Sequence, residues 1–322
     1  MNESPERKQG GNEALLILGP TASGKSALAL AAAQDFGGVV INADSMQVYR
    51  DLRIITARPD ERALAAAPHR LYGFLDAAEI CSAVRWAELA AGEVRAARAA
   101  GRLPIIVGGS GLYVRALLEG FSPIPDIDPA HRKAAAAKLA ELGGERFRAE
   151  LAGVDAASAA RLHAGDSQRL IRAWEVWLGT GRPLSEWQML PPEPPPLDPD
   201  LLKVVLLPDR KMLYERCDAR FGEMLAQGAM AEVRALAARR LDPDLPAMKA
   251  LGVPQLIAAD RGEIGLETAA AEARTLTRRY AKRQVTWLRH QIISDITHDA
   301  QHMERMKADI FPKISEFLLT RS

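Results

Sequence analysis

The sequence predicts an α/β protein with a P-loop NTPase-like, mostly parallel sheet that is flanked by helices and carries an all-helical insertion. Short apolar runs alternate with helical stretches, a pattern typical of parallel strands that are buried on both faces. A glycine-rich loop separates the first of these runs from the first helix, as phosphate-binding folds require. A long central stretch shows only helical patterns, which indicates that the insertion interrupts the α/β core.

The first half of the chain supplies most of the predicted strands. Residues 14–18 form an apolar run that ends at a glycine, and a helix is expected over 27–35. Residues 39–42 and 103–107 are two further apolar runs. Residues 70–75 are a weaker strand candidate. Continuous rather than alternating apolar character favours strands inside a parallel sheet over strands with one solvated face.

Helix-capping residues mark the elements that follow. Ser82 is a plausible N-cap for a helix that runs to about residue 100, and Gly101 would end it. Another helix is expected after the glycine-rich turn 108–111. In the central stretch, Asp155 and Asp166 are expected N-caps.

The second half returns to the sheet through a proline-rich linker, residues 191–199, which proline makes stiff. Residues 202–207 are predicted to be a late strand. From Asp209 onward the chain is expected to be helical. We therefore predict a disordered leader at 1–12, a P-loop core at 13–125 and 191–322, and a helical insertion at 126–190.

Composition narrows the functional classes. The net charge of +1 does not indicate any partner, and two cysteines cannot form a disulfide framework or a four-cysteine zinc site. The polar first residues lack the apolar core of a signal peptide, and no apolar run approaches the ~18 residues of a membrane span. These features predict a cytoplasmic protein with no membrane partner.

The glycine-rich loop carries the clearest chemical signal. Gly19 to Ser26 match the P-loop pattern Gly-x4-Gly-Lys-Ser between a predicted strand and a predicted helix. Backbone N–H groups and the helix N-terminus can surround phosphate oxygens, Lys25 adds a positive charge, and the Ser26 hydroxyl can bind Mg²⁺. The predicted phosphate-binding residues in this loop are Gly19, Pro20, Thr21, Ala22, Ser23, Gly24, Lys25 and Ser26.

Two polar residues follow other predicted strands. Asp44 comes just after the second apolar run, and Ser110 lies in the glycine-rich turn after 103–107. The carboxyl ends of parallel strands form the ligand crevice of such folds, so both side chains are expected beside the bound phosphates. Each could also be an ordinary helix or turn cap. A P-loop kinase would place an acidic residue after 103–107, where this chain has Gly-Gly-Ser.

Eight segments of the chain resemble one known family, the tRNA dimethylallyltransferases. They are GPTASGKS, INADSMQVYR, ITARP, PHRLYGF, PIIVGGSGLYVRALLEG, DPAHR, HAGDSQRLIRAWEVWLGTGRPLSE and AKRQVTWLRH. They occur in order between Ala14 and His290. The resemblance implies transfer of a dimethylallyl group from dimethylallyl diphosphate to N6 of adenosine 37, next to the anticodon of tRNA.

The resemblance also implies roles for residues of this chain. Asp44 would accept the proton of the adenine amine, with Ser110 and Lys25 beside the reacting groups, and Mg²⁺ would be the cofactor. The expected partners are dimethylallyl diphosphate and the tRNA anticodon stem-loop, and we expect a monomer. The residues that would contact tRNA outside the basic helix are Asp44, Ser45, Met46, Gln47, Ser110, Arg132, Gln168, Arg169, Leu170, Ile171 and Arg172.

A basic helix near the C-terminus extends the predicted RNA surface. Its cations fall within about half of the helix circumference, so one face could follow phosphates while the other packs on the core. In isolation the same pattern would suit a solvated basic face. The cations are Arg274, Arg278, Arg279, Lys282, Arg283 and Arg289, of which Arg278, Lys282 and Arg283 are included in the predicted tRNA site.

Sequence leaves two choices open. An arginine from the second half of the chain is expected at the diphosphate; Arg220 is included in the predicted site, with Arg210 and Arg216 as alternatives. The rival functions are an adenylate isopentenyltransferase that acts on free AMP or ATP, a small-molecule P-loop kinase, and a non-catalytic RNA-binding module. The helical insertion and the basic helix argue against the first of these.

Overall fold

The computed structural model describes residues 12–197, 200–300 and 302–320. A six-stranded parallel sheet with the strand order β3-β2-β4-β1-β5-β6 forms its centre, which confirms the predicted fold class. The predicted leader lies outside the described residues, apart from Asn12. The strands are β1 Glu13–Leu18, β2 Gly38–Ala43, β3 His69–Arg70, β4 Leu103–Gly108, β5 Asp200–Leu206 and β6 Ile296–His298.

Thirteen α-helices are present in the described part of the chain. Those before the central stretch are α1 Lys25–Asp35, α2 Glu61–Ala66, α3 Ala83–Ala99 and α4 Gly111–Glu119. The central ones are α5 Pro129–Ala152, α6 Ala156–Arg161, α7 Ser167–Thr180 and α8 Leu184–Met189. The last are α9 Arg210–Ala226, α10 Ala229–Ala238, α11 Val253–Asp260, α12 Leu266–Gln291 and α13 Met303–Thr320.

The inner strands are buried along their whole length. Every residue of β1, β2 and β4 is buried, because helices pack on both faces of the sheet. Leu15, Val40 and Ile105 lie in one core cluster with side chains of α1 and α13. Continuous apolar runs therefore form the centre of the sheet, as the sequence indicated.

Most predicted caps are confirmed. The Ser82 hydroxyl accepts a hydrogen bond from the Arg85 N–H at the start of α3, and the Asp155 carboxylate accepts one from Ser158 N–H at the start of α6. Asp166 stands at the N-cap position of α7, but its side chain accepts no capping hydrogen bond and pairs with Arg169 instead.

Two predictions of secondary structure differ from the structure. The chain after Asp209 is not entirely helical, because β6 pairs with β5 at the edge of the sheet. The candidate strand 70–75 is limited to His69–Arg70, and the chain bends away where Leu71 and Gly73 adopt positive φ angles of 61° and 56°. Strands this short leave little periodic signal in a sequence.

The chain divides into two compact units. The first comprises residues 1–118 and 196–322 and contains the sheet, and the second is Glu119–Pro195, with α5 to α8. The second unit has its own core, in which Phe147 packs on Trp174 with ring centroids 5.2 Å apart. Trp174 is therefore a core residue of this unit.

Among the described residues, none of the helices combines the length and apolar character that crossing a bilayer requires.

Candidate active site

Three turns meet at the carboxyl edge of the sheet. The P-loop follows β1, Asp44 follows β2, and Ser110 follows β4, which lies between those two strands. Gly19 N–H donates to the Gly108 carbonyl at 3.3 Å, and Ser110 N–H donates to the Ala43 carbonyl at 3.4 Å. Parallel strands bring their carboxyl ends to one edge, so the three predicted turns converge there.

The P-loop holds a buried cation. Lys25 is 9% exposed, and its ammonium donates to the Pro20 carbonyl at 3.1 Å. Burial lowers the pKa of Lys25 to about 8, and the nearby Asp44 carboxylate opposes this shift while the Arg220 guanidinium adds to it. The Ser23 hydroxyl is also buried, and it has no hydrogen-bond partner within the described structure. A loop with a buried cation and an unpaired hydroxyl suits an anionic ligand.

The Asp44 carboxylate is held in a tight turn. Its Oδ1 accepts a hydrogen bond from Met46 N–H at 2.9 Å. Asn42, which is fully buried, accepts from Asp44 N–H at 2.9 Å and donates to the carbonyls of Asp44 and Leu71, both at 3.0 Å. Asn42 thus fixes the backbone that carries Asp44. Asn42 was not among the predicted site residues, although it lies in the segment INADSMQVYR.

Ser110 connects the turn after β4 to the turn of Asp44. Its Oγ accepts from Ser45 N–H at 2.9 Å and lies 3.2 Å from Ser45 Oγ, to which it donates. The Tyr280 hydroxyl also hydrogen-bonds with Ser110, and burial raises the pKa of Tyr280 above its ordinary value. The Ser110 hydroxyl is therefore one polar group in a small network beside Asp44.

Of the three candidate arginines, Arg220 contacts the P-loop. Its guanidinium donates to Thr21 Oγ1 at 3.2 Å and to the Thr56 carbonyl at 3.3 Å. Arg216 instead donates to the Ala300 carbonyl at 3.0 Å, and Arg210 Nε to the Tyr214 hydroxyl at 3.2 Å. Burial lowers the pKa of Arg220. The guanidinium nevertheless keeps its charge, because the pKa of an arginine lies far above neutral pH.

Gln47 is buried and already bonded within the protein. Its Nε2 donates to the carbonyls of Thr56 and Ala57 at 2.8 and 3.1 Å. Its neighbours Ser45 and Met46 are half-buried. Both donor contacts of the Gln47 amide group are therefore made within the protein, and an RNA contact through this group would have to compete with them.

Gln284 links the P-loop to the turn after β4, and sequence analysis missed it. Its Oε1 accepts from Thr21 N–H at 2.8 Å, and its Nε2 donates to the Gly109 carbonyl at 2.9 Å. The side chain is 5% exposed on the buried face of α12. In the basic segment AKRQVTWLRH, Gln284 is an uncharged polar residue on the side of the helix opposite the cations. This position was the feature of the sequence that could have indicated its role.

Helix α12 presents several of its predicted cations to solvent. Arg279, Lys282 and Arg283 are exposed, and they line a surface depression of about 710 Å³ that also includes Trp287. Trp287 packs so closely on Gly111 that a Cβ there would lie 2.6 Å from its ring. The exposed side of α12 therefore combines positive charge with an aromatic ring.

Arg278 is turned toward α9 instead. Its Nη1 donates to both carboxylate oxygens of Asp218, at 2.6 and 2.7 Å, and its Nη2 donates to Thr275 Oγ1. Arg278 thus differs from Lys282 and Arg283, because its charge is already paired within the protein.

In the second unit, two predicted cations share one buried carboxylate. Arg132 and Arg172 contact Glu175 at 3.1 and 3.2 Å, and Arg132 also donates to Gln168 Oε1 at 2.8 Å. Glu175 is 6% exposed, and its carboxylate partly neutralises the charge of the two arginines on their buried side. The other side of each arginine reaches solvent.

Two further residues of the predicted tRNA site lie on α7 and are buried. Leu170 and Ile171 are 0% and 8% exposed and belong to the core of the second unit. Their side chains therefore pack within the fold. Gln168 and Arg169 are exposed on α7.

Comparison with known proteins points to one family. The IPP transferase family profile matches residues 47–291. A tRNA dimethylallyltransferase of Rhodospirillum rubrum is 51% identical over 320 residues, 98% of both chains, and one of Rhodopseudomonas palustris is 56% identical over 292 residues, 90% of both chains.

Solved structures agree with these sequence matches. The tRNA isopentenylpyrophosphate transferase of Bacillus halodurans superimposes with a TM-score of 0.70 at 29% identity, over 96% of this chain and 98% of that one. A eukaryotic dimethylallyltransferase acting on tRNA gives a TM-score of 0.77 at 26% identity, over 96% of this chain and 80% of that one. The chain therefore belongs to the IPP transferase family, together with these tRNA dimethylallyltransferases.

Proposed function

We propose that this protein transfers a dimethylallyl group from dimethylallyl diphosphate to N6 of adenosine 37, next to the anticodon of tRNA, and releases diphosphate. The observation that carries this proposal is the convergence of a phosphate loop and one carboxylate, Asp44, at the same sheet edge. The family match over nearly the whole chain supplies the reaction class.

The reaction exchanges one bond for another. The bond between N6 and the first allylic carbon forms, the bond from that carbon to the diphosphate oxygen breaks, and N6 loses a proton. The amine is a weak nucleophile because its lone pair is delocalised into the adenine ring. Asp44 is the base that takes the proton, and its turn is fixed by Asn42.

The leaving diphosphate gathers negative charge as the carbon–oxygen bond breaks. Lys25, Arg220 and the N–H groups at the start of α1 supply positive charge at that place, and the unpaired Ser23 hydroxyl can donate to a phosphate oxygen. The site is largely buried, which strengthens each of these interactions.

The residues present also fit Mg²⁺ at Ser26. The Ser26 hydroxyl is exposed at the first turn of α1, and the described residues contain no cluster of three or more His, Cys, Asp or Glu that would hold a metal alone. A hard cation with few protein ligands takes its remaining ligands from phosphate and water. When bound, Mg²⁺ would add positive charge beside the leaving group.

We further propose that the tRNA anticodon stem-loop is held by exposed cations of α12 and of the helical insertion. On α12, Lys282 and Arg283 support this role because both are exposed. On the insertion, Arg132 and Arg172 support it because each keeps an outer face in solvent although both contact Glu175. The target adenine would leave its stack to reach the buried site, as in other enzymes that modify bases. We also propose that the protein acts as a monomer in the cytoplasm.

Parallel transfer reactions test the function. Dimethylallyl diphosphate labelled in the prenyl group is incubated with Mg²⁺ and either undermodified tRNA, AMP or ATP. We expect label on tRNA alone. Label on AMP but not on tRNA would support the adenylate isopentenyltransferase, and phosphoryl transfer from ATP would support the kinase.

An Asp44→Ala variant tests the role of the base. We expect turnover to be lost, by about 100-fold or more as is typical of general-base removal, while tRNA still binds. Single-turnover transfer and tRNA filter binding are measured on the same preparation. Near-normal transfer would remove Asp44 from the mechanism.

A further inference from the structure

A carboxylate from α10 organises a turn beside the diphosphate loop. Glu232 Oε2 accepts hydrogen bonds from the N–H groups of Arg53 and Ile54, at 2.7 and 2.8 Å. Glu232 Oε1 accepts a third bond from Ile55 N–H at 2.9 Å. Three consecutive backbone donors therefore converge on one side chain that lies 177 or more positions away in sequence.

The turn held in this way carries the carbonyls that position two site residues. The Thr56 carbonyl accepts from Arg220 at 3.3 Å and from Gln47 at 2.8 Å, and the Ala57 carbonyl accepts a second bond from Gln47 at 3.1 Å. Arg220 in turn donates to Thr21 of the P-loop at 3.2 Å. Glu232 is thus connected to the diphosphate loop through the backbone of residues 53–56 and the two hydrogen bonds of Arg220.

The conformation of the turn requires an external support. Ala57 adopts a φ of 49°, a left-handed conformation that residues with a Cβ rarely occupy. Such a conformation persists where surrounding contacts impose it. Glu232 supplies three charge-assisted hydrogen bonds immediately before this residue, which makes it the strongest anchor of the segment among the contacts described.

The chemistry of the anchor calls for a carboxylate. A carboxylate offers two oxygens that only accept hydrogen bonds, which matches three N–H donors. A glutamine of the same shape would offer one oxygen and would direct its amide hydrogens at N–H groups. Replacement of Glu232 by glutamine therefore loosens the turn without removing side-chain volume.

We propose that Glu232 is a positioning residue for the reaction, which fixes the 53–57 turn so that the Thr56 carbonyl holds Arg220 against the P-loop and Gln47 beside Asp44. Glu232 itself contacts no substrate. The inference rests on the proposed function, because it deepens the account of the diphosphate site.

A double-mutant cycle on diphosphate binding tests the proposal. The probe is inorganic diphosphate with Mg²⁺, and its Kd is measured by calorimetry without tRNA for the wild type, Glu232→Gln, Arg220→Gln and the double variant. We expect Glu232→Gln to weaken binding by about tenfold, the order of a coupling within one hydrogen-bond network. Since Glu232 acts through Arg220, the double variant should bind no more weakly than Arg220→Gln alone.

A matched control separates positioning from general loss of stability. Arg234→Gln removes a surface ion pair with Asp260 from the same helix, α10, and should leave the Kd unchanged. Thermal melts are recorded for all variants, and Glu232→Asp replaces Glu232→Gln if the latter does not fold. Losses that add in the double variant, or an unchanged Kd in Glu232→Gln, would overturn the proposal.

The two proposals fail in different ways. If the wild type transfers no prenyl group to tRNA, the proposed function is wrong, yet the diphosphate cycle still reports on Glu232. If transfer is normal and the cycle shows no coupling, the positioning role alone is wrong.

Discussion

At the scale of single residues, Lys25 shows how the fold changes the chemistry of a side chain. An exposed lysine keeps its charge well above neutral pH, but burial lowers the pKa of Lys25 to about 8. A bound anion favours the charged form and so raises this pKa again. Binding of diphosphate and protonation of Lys25 are therefore linked.

We predict that diphosphate affinity falls as the pH rises above about 8. Below that pH the ammonium is already protonated and its attraction is fully present; above it, binding must first restore the proton, at a cost that grows with pH. Calorimetry in buffers of different ionisation enthalpy should detect proton uptake on binding near pH 9. Lys25→Met is the control, because titration of the diphosphate itself remains while the part due to Lys25 disappears. An identical pH dependence in both proteins would contradict the assignment.

At the scale of elements, α12 has two faces that differ in chemistry and in burial. Its buried face carries Gln284, which joins the P-loop to the turn before Ser110. Its exposed face carries Arg279, Lys282 and Arg283. Helical periodicity separates Gln284 from these cations, since residues on opposite faces differ by about half a turn.

We predict that removing Lys282 and Arg283 weakens tRNA binding and reduces its salt dependence. The slope of log K against log salt is negative, and each lost phosphate contact reduces its magnitude by about 0.7 to 0.9. The magnitude should therefore be smaller by about 1.4 to 1.8 in the double alanine variant. Arg278→Ala is the matched control on the same helix. Its guanidinium is paired with Asp218, so its loss should lower the melting temperature and leave the slope unchanged. An unchanged slope in the Lys282 and Arg283 variant would identify this face as merely solvated.

At the scale of the whole molecule, the first and last residues of the second unit lie close together in space. Phe121 and Glu193 form an antiparallel bridge, in which Glu193 N–H donates to the Phe121 carbonyl at 2.7 Å. Gly120 adopts a φ of 72°, and a side chain there would collide with the Glu193 carbonyl. Close ends are what an inserted domain needs.

We predict that the second unit can be excised without loss of the diphosphate site. A variant in which residues 122–192 are replaced by a short Gly-Ser linker should still bind diphosphate, because the described ligands of that site lie in the first unit. It should lose most of its affinity for the anticodon stem-loop. Calorimetry and filter binding on the same variant check the two halves of the prediction. If tRNA affinity persists, the proposed role of the insertion in RNA binding is wrong.

Local sequence patterns were sufficient where the physics is local. Continuous apolar runs indicated β1, β2 and β4, and the spacing of glycines and Lys25 indicated the P-loop. Asp44 and Ser110 could be placed near it because parallel strands bring their carboxyl ends together. The edge strand β6 escaped detection because three residues are too few to show a pattern.

The sequence by itself determined the fold class, the phosphate loop and, through its resemblance to one family, the reaction. Tertiary structure decided the partners of the charged and polar side chains: Arg220 rather than Arg216 at the P-loop, Arg278 on Asp218, and Gln284 on Thr21 across 263 positions. The physical reason is that periodicity records which face of an element is buried, whereas a hydrogen bond depends on where distant elements meet.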